Sequence, residues 1–316
     1  MGLKKEIVHG IKDILKKDKR NLFYIIYYSA LEGILILSIP LASSFIIDSI
    51  VSHTPISVLV LGSIVLGMFV FITILRIIRE YIIEKFQQKV FVEKSFEVAE
   101  GVYLKNIKAN EPVDKVMNYF FDVTTIQKFF PVFVLDGITL IVNVIISLLL
   151  LLAFNVALFE LGVLSLIFYV GLLLLFGYNG IKYAFYRSDT KHETIYFLQK
   201  VPYSKEEKTS LLQKLDNILL RYLDSRTKLF KVMIRQKTLS FAMQGIIMSG
   251  FLVLGGFLVI NGKLPIGEFV AADIVVVSII SSINRFIKQI DYVYEVVEGL
   301  YKVGKLTKVI SGKENG

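Results

Sequence analysis

Six long apolar segments, separated by polar stretches of very unequal length, dominate the chain. A helix needs about 20 apolar residues to cross about 30 Å of hydrocarbon, and each segment is long enough. The pattern therefore predicts an all-α membrane protein in which residues 21–310 form one domain with six transmembrane helices. These spans lie at about 21–50, 56–84, 129–154, 156–181, 238–260 and 266–288.

The connectors between the spans fall into two kinds. Three are only a few residues long, at Val51–Pro55, Asn155 and Asn261–Pro265, whereas the other two are long and keep a helical pattern of apolar positions. In the second long connector the apolar residues recur at three- and four-residue steps, as an amphipathic helix requires. We expect spans two to five to continue as helical rods, with ordinary soluble loops as the alternative. Twenty extra residues would carry a rod about 30 Å beyond the bilayer.

Residues 1–20 precede the first span and are rich in lysine. Leu3, Ile7, Ile11 and Ile14 share one helical face opposite the lysines. This arrangement predicts an interfacial helix on the inner leaflet, and the alternative is a basic tail that only sets topology. Residues 311–316 are expected to form a short tail.

The composition supports a membrane protein and excludes several chemistries. Of 316 residues, 54% are hydrophobic and 20% charged, and none is cysteine, so the chain can form no disulfide and has no thiol nucleophile. The three histidines, His9, His53 and His192, lie in separate segments. We therefore predict no metal site, no cofactor and no catalytic residues in this chain.

The net charge of +9 follows the topology. Lysine and arginine number 7 up to Arg20, 9 in 76–128, 13 in 182–237 and 6 from Arg285 onward, while the three short connectors hold only Lys263. Basic residues concentrate on the cytoplasmic side of membrane proteins. The distribution predicts a multi-pass protein of the plasma (inner) membrane with both termini in the cytoplasm, and it does not indicate a nucleic-acid partner.

Two stretches carry a resemblance to a known family. Gly255–Val276, with a glycine-rich helix end and a short G-x-L-x-x-G turn, resembles the link between spans five and six of type I ATP-binding cassette (ABC) exporters. Asn118–Phe130 resembles the approach to span three of that family, with Asp122-Val123 in place of its Asp-Val. The resemblance implies the exporter transmembrane fold and a homodimer or heterodimer around a central pathway. It also implies an ATPase partner.

The chain departs from that family in having no ATPase domain. A phosphate-binding loop around Gly262-Lys263 would need glycine at 257 and serine or threonine at 264, and these positions hold Phe257 and Leu264. The sequence ends at Gly316, where the family's linker to its ATPase would begin. We expect any ATPase to act from a separate chain or from a segment beyond this sequence, or to be absent.

Two bends between the rods are the candidate docking points for such a partner. They are short compared with the family, which puts nucleotide-driven coupling in question. The bends consist of Asn110, Glu111 and Pro112 in the first long connector, and of Pro202, Tyr203 and Ser204 in the second.

Polar side chains within the spans are further candidates, because burying them in hydrocarbon is costly. Glu32, near the midplane by residue count, and Asp273 are expected to face a shared interior or a partner. Asn143 and Gln244 are weaker candidates, for which interhelical hydrogen bonds are the simpler interpretation. Arg285 and Lys288, at the inner end of span six, could attract an anionic substrate or merely complete a basic helix end.

These observations leave three functional hypotheses. The first is the membrane-spanning subunit of an ABC-exporter-like transporter with a dimeric pathway. The second is a non-transporting relative that serves as a scaffold or partner subunit of a membrane complex. The third is an ion-coupled carrier that uses Glu32 and Asp273.

Overall fold

A computed structural model describes residues 19–36, 38–53, 55–103 and 117–311. Every regular element in these ranges is a helix. Residues 1–18, with most of the expected interfacial helix, lie outside the described residues, as do Asn110, Glu111, Pro112 and the tail at 312–316. Six helical stretches are long and apolar enough to cross a membrane: Lys19–Val51, Val58–Glu100, Leu135–Phe154, Val156–Tyr203, Lys208–Ile260 and Ile266–Lys288.

The predicted all-α, multi-pass organisation is thus confirmed for the described part of the chain. The first span consists of α1 (Lys19–Ile36) and α2 (Ser38–Val51). Pro40 lies in the first turn of α2, where its missing N–H is not needed, so a new helix starts there. The second span is the first part of α3 (Pro55–Tyr103), which runs for 49 residues without a break.

The third span is irregular at its start. A 3₁₀ turn (Asn118–Asp122) leads into the short α4 (Val123–Gln127), a π-helical segment (Phe130–Gly137) and then α5 (Ile138–Phe154). The rod expected before span three is therefore segmented and not one continuous helix.

The remaining spans also extend beyond the bilayer length. The fourth comprises α6 (Val156–Phe176) and α7 (Gly180–Lys200), and the fifth lies within α8 (Lys208–Ile260), which has 53 residues. The sixth comprises α9 (Ile266–Lys288) and an extension not predicted as a rod, α10 (Ile290–Ser311). The face from which these helices extend is called the rod side, and the charge distribution predicts that it faces the cytoplasm.

On the opposite face the helices are joined by tight turns. Asn155 is the one residue between α5 and α6, and its side chain accepts a hydrogen bond from the Ala157 N–H at 2.9 Å. Gly262 has a φ of +69° after α8, and the N–H of Lys263 donates to the Leu258 carbonyl at 2.8 Å. This is the bond pattern of a glycine-capped helix end, which explains the first glycine of the G-x-L-x-x-G turn.

Several apolar clusters hold the bundle together, and among the described residues two of them have the largest number of buried members. One lies among α1, α3, α4 and α10 toward the rod side and includes Ile83, Phe86, Ile126 and Val296. The other lies among α5, α6, α8 and α9 and includes Leu151, Leu158 and Val275. The rods of α7 and α8 pack against each other, and α7 also packs against α10 of the same chain.

Candidate functional site

Glu32 lies against two arginines and not against an open cavity. Its side chain is buried, with the residue 1% exposed, and its Oε1 accepts from Arg76 Nε at 2.6 Å. Arg79 forms an ion pair with the other carboxylate oxygen and also donates to Ser29 at 2.8 Å and Thr139 at 2.9 Å. The carboxylate therefore joins α1 to α3 within one chain.

The pairing also changes the expected depth of Glu32. Arg76 is the first charge after the apolar run of α3 and lies 21 residues after Pro55, or about 31 Å along the helix. Measured from Pro55, this is about the full thickness of the hydrocarbon, so the pairing favours a depth nearer the rod side than the count from Asn21 predicts. The midplane position of Glu32 stays a prediction.

Asn143 and Gln244 both form hydrogen bonds between spans. Asn143 donates to Ser282 at 2.6 Å and to Ser278 at 3.2 Å, which joins α5 to α9. The side-chain amide oxygen of Gln244 accepts from Asn284 at 2.8 Å. Ser240 donates to the same Asn284 at 2.6 Å and itself accepts from Tyr169, so one neutral network links α6, α8 and α9.

The other three polar residues singled out in the sequence are Asp273, Arg285 and Lys288. Within the described residues no hydrogen bond or ion pair joins Asp273 to Glu32, and the Asp273 Oδ1 atom is buried without a hydrogen-bond partner. Arg285 and Lys288 are exposed in the last turn of α9. Basic side chains favour that end of a helix dipole, which is the simpler of the two interpretations of these residues.

A charged cluster on the rod side was not predicted from the sequence. We call it the clasp. It joins the 3₁₀ turn before α4 to α7 and α10, which are the rod-side continuations of spans three, four and six. Its members are Asp122, Arg187, Asp189, Lys191, His192, Glu298 and Lys302.

Asp122 is the centre of the clasp. It accepts from His192 Nε2 at 2.7 Å and from Lys191 Nζ at 2.9 Å, and both Asp122 and His192 are buried. The His192 ring meets the edge of the Tyr119 ring at 5.0 Å between centroids. Lys302 Nζ lies 4.6 Å from the Tyr119 ring centroid and pairs with Asp189. These contacts place the Asp-Val position of the resemblance at a junction of three elements.

Glu298 forms the second half of the clasp. Its Oε1 accepts from Arg187 Nε at 3.1 Å and Nη2 at 2.7 Å. Burial raises the pKa of Glu298 to about 7, although the charges of Arg187 and Lys191 favour the ionised form. For Asp122, burial alone would raise the pKa, but the His192 hydrogen bond and the Lys191 charge outweigh it and hold the pKa below its ordinary value.

The same three spans are interrupted just above the clasp. Span four breaks at Gly177–Asn179, where Asn179 has a φ of +65°, and span six breaks at Gln289. Gln289 donates to Asp136 at 2.8 Å, and Asp136 belongs to the π-helical segment of span three. The three interruptions therefore lie close to one level, whereas α3 and α8 pass that level unbroken.

Gln236 of α8 lies at the break of span four. It accepts from the Tyr294 hydroxyl at 3.1 Å and donates weakly to the Leu173 carbonyl at 3.5 Å. A Cβ on Gly177 would lie 2.6 Å from the Gln236 amide nitrogen, and one on Gly180 would collide with Tyr294. The glycines at this break thus allow close approach of α8 and α10.

The second bend, Pro202-Tyr203-Ser204, forms one 3₁₀ turn at Val201–Tyr203 and then a short link to α8. Ser204 Oγ accepts from the Glu206 N–H at 3.2 Å. Beside this bend lies an open groove of about 930 Å³ whose walls include Asn118, Tyr196, Tyr203 and Leu211.

Comparison with known proteins gives no identification. No family model matches the chain, and no curated protein matches it.

Proposed function

We propose that this chain is the membrane-spanning subunit of an ABC-exporter-like transporter, in which two such subunits form the pathway and any ATPase is a separate chain. The observation that carries the proposal is the level of interruptions in spans three, four and six, directly above a clasp that joins their extensions. A transporter that alternates between two openings needs elements that move as bodies about hinges. Broken helices tied together beneath their breaks provide such a body.

The charged clasp also suits a part that opens and closes, because forming an ion pair costs desolvation that offsets much of its attraction. When water enters between the rods, the separated charges regain part of their solvation. Separating apolar side chains in water gives no comparable regain of solvation. A contact made of paired ions is therefore easier to separate and re-form than an apolar contact of the same area.

The dimer is supported by open small-residue positions on α8. A Cβ on Gly245 or Gly256 would meet no atom within 4 Å. Small residues on a lipid-facing surface allow a second helix to approach closely. The resemblance at Gly255–Val276 supplies the remaining reason to propose two copies or two related chains.

A second candidate function is a non-transporting scaffold subunit. The observation that favours it is the second bend, whose single 3₁₀ turn of three residues provides little surface to transmit force from an ATPase. The ion-coupled carrier has less support, because Arg76 and Arg79 already neutralise Glu32.

Cross-linking in native membranes separates the two leading candidates. A photo-reactive residue in place of Tyr203 is expected to capture a stoichiometric ATPase subunit under the transporter proposal. Capture of a different membrane complex in the same yield, with no ATPase, would establish the scaffold instead. A photo-reactive residue in place of Tyr178, which is 73% exposed elsewhere on the chain, is the matched control.

The proposed orientation has its own test, which the lack of cysteine makes clean. Ser52→Cys and Lys263→Cys are expected to react with an impermeant thiol reagent in intact cells, whereas Ser204→Cys and Lys231→Cys are not. Labelling at 204 or 231 would overturn the assignment of both termini to the cytoplasm.

A further inference from the structure

The groove at the rod tip has mixed apolar and basic walls. Aromatic and apolar side chains make up most of the surface, and the two lysines come from opposite sides of the bend. The residues that carry the inference are Met117, Tyr196, Phe197, Tyr203, Leu211, Lys200 and Lys214. Tyrosine, phenylalanine and methionine are enriched where proteins bind one another.

The groove has fixed walls. Asn118 and Gln199 exchange two amide hydrogen bonds, at 2.8 and 3.0 Å, which tie the segment before α4 to the end of α7. On the other side, Lys214 of α8 donates to both carboxylate oxygens of Glu206 at 2.6 Å. The hollow is therefore held open by contacts on both sides of it.

Lipid cannot cover this surface. The groove adjoins Lys208, which lies 30 residues from Thr238 at the start of span five, or about 45 Å along α8. Tyr203, in the wall of the groove, is 87% exposed. Exposed apolar patches in water mark protein-binding surfaces.

The positive charge around the groove favours an acidic partner. Lys200, Lys205, Lys208 and Lys214 outnumber Glu206 and Glu207, which leaves a net charge of +2 in residues 200–214. A second copy would present the same excess, and the two tips would repel each other. Lys200 Nζ lies over the Tyr196 ring at 4.4 Å, so an apolar face and a cation are presented side by side.

We propose that this groove binds an amphipathic helix of a separate cytosolic chain, with apolar side chains in the hollow and acidic side chains beside Lys200. Insertion of a helix into an apolar groove is a common recognition mode. In this arrangement the chain provides the groove and its partner provides the helix, because the bend itself contains only a three-residue 3₁₀ turn. The proposal rests on the proposed function for the existence of a partner subunit, and the binding site itself stands on the groove.

The test uses the full chain in lipid nanodiscs and three synthetic fluorescent peptides, so it requires neither transport nor ATP. One peptide is an amphipathic helix with glutamates flanking its apolar face, the second has lysines instead, and the third is a scrambled acidic peptide. Fluorescence anisotropy is expected to show the first binding at least tenfold more tightly than either of the others. Because the groove is small compared with a standard interface, micromolar affinity is expected.

Variants then locate the binding. Lys200→Glu is expected to abolish or reverse the preference for the acidic peptide, and Tyr203→Ala to weaken its binding about tenfold. Lys231→Glu, an exposed site on α8 with the same change in charge, and Tyr178→Ala are the matched controls and should have little effect. Equal binding of the acidic and basic helices, no detectable binding, or equal effects of the groove and control variants would each overturn the proposal. Failure to find an ATPase in native membranes would leave these peptide results unchanged.

Discussion

Polar side chains between the spans meet as neutral amides and hydroxyls, whereas the clasp consists of ionisable side chains. Asn143 with Ser282 and Gln244 with Asn284 exemplify the first group. Asp122 with His192 and Glu298 with Arg187 exemplify the second. In hydrocarbon an unpaired charge has no water to stabilise it, so neutral bonds suit permanent contacts there. On the rod side water is close, and charged contacts can separate.

Glu32 and Arg79 lie between these two regions and are expected to give the largest effect on stability. Glu32→Leu leaves the Arg79 side chain, 5% exposed, without its counter-charge, which costs about 3–5 kcal/mol. Adding Arg79→Met should recover most of that loss. Reversible unfolding in bicelles measures both values.

The matched control for Glu32 is Asp273→Leu, because Asp273 also lies in a span but has no ion pair among the described residues. It is expected to change stability little. If Glu32→Leu costs no more than Asp273→Leu, the boundary pair is not the contact that holds α1 against α3.

The clasp is expected to respond to pH through Glu298. Its pKa of about 7 in the folded chain exceeds the ordinary value of 4.5, so the folded state holds this proton more tightly than the unfolded state. The resulting stabilisation is complete below about pH 4.5 and is lost as the pH rises toward 7, by up to about 3 kcal/mol. Glu298→Gln cannot lose a proton and should not show this part of the pH dependence.

Thermal unfolding in detergent from pH 4.5 to 8 measures the effect as a difference between wild type and Glu298→Gln. The wild-type midpoint should fall relative to that of the variant as the pH rises. Asp122 should not contribute to this difference, because its pKa lies below the ordinary 3.8. Parallel curves for the two proteins would contradict a buried, proton-binding Glu298.

The neutral contacts between spans are expected to give the smallest effect. Asn143→Ala should cost about 0.5–1.5 kcal/mol, in the range of interhelical hydrogen bonds in membranes. This loss should be the same at pH 5.5 and pH 8, because no ionisable group is removed. The exposed Ser249→Ala, also in a span, is the control, and a strongly pH-dependent loss in Asn143→Ala would contradict the distinction between the two regions.

Local patterns explain which features could be predicted from the sequence. Apolar runs define the spans, and Asn155 and Gly262 mark turns whose geometry their residue types favour. The clasp could not be predicted in this way, because Asp122 and His192 are 70 residues apart along the chain. The dense charges of 187–193 were the available signal, but such a run is usually a solvated helix face.

The irregular helices show a second limit of sequence reasoning. Gly177 and Gly180 flank a break in span four, but glycine is also frequent in unbroken transmembrane helices. The break packs against Gln236 and Tyr294, which belong to two other helices, α8 and α10, far along the chain. The pairing of Glu32 with Arg76 and Arg79 of α3 likewise could not be read from its own position along the first span.

We expect α4, α7 and α10 to move as one body relative to the membrane half. Spin labels on a chain without cysteine test it by pulsed electron resonance in nanodiscs. Thr124→Cys with Leu198→Cys measures a distance within the body, and Leu198→Cys with Ile167→Cys measures one across the break in span four; all three sites are exposed. We expect a single narrow distance within the body and a broad or double distribution across the break. Asp122→Asn, which removes the carboxylate that accepts from Lys191 and His192, should broaden the first distance. A distribution across the break as narrow as that within the body, or an internal distance that Asp122→Asn leaves unchanged, would contradict this expectation.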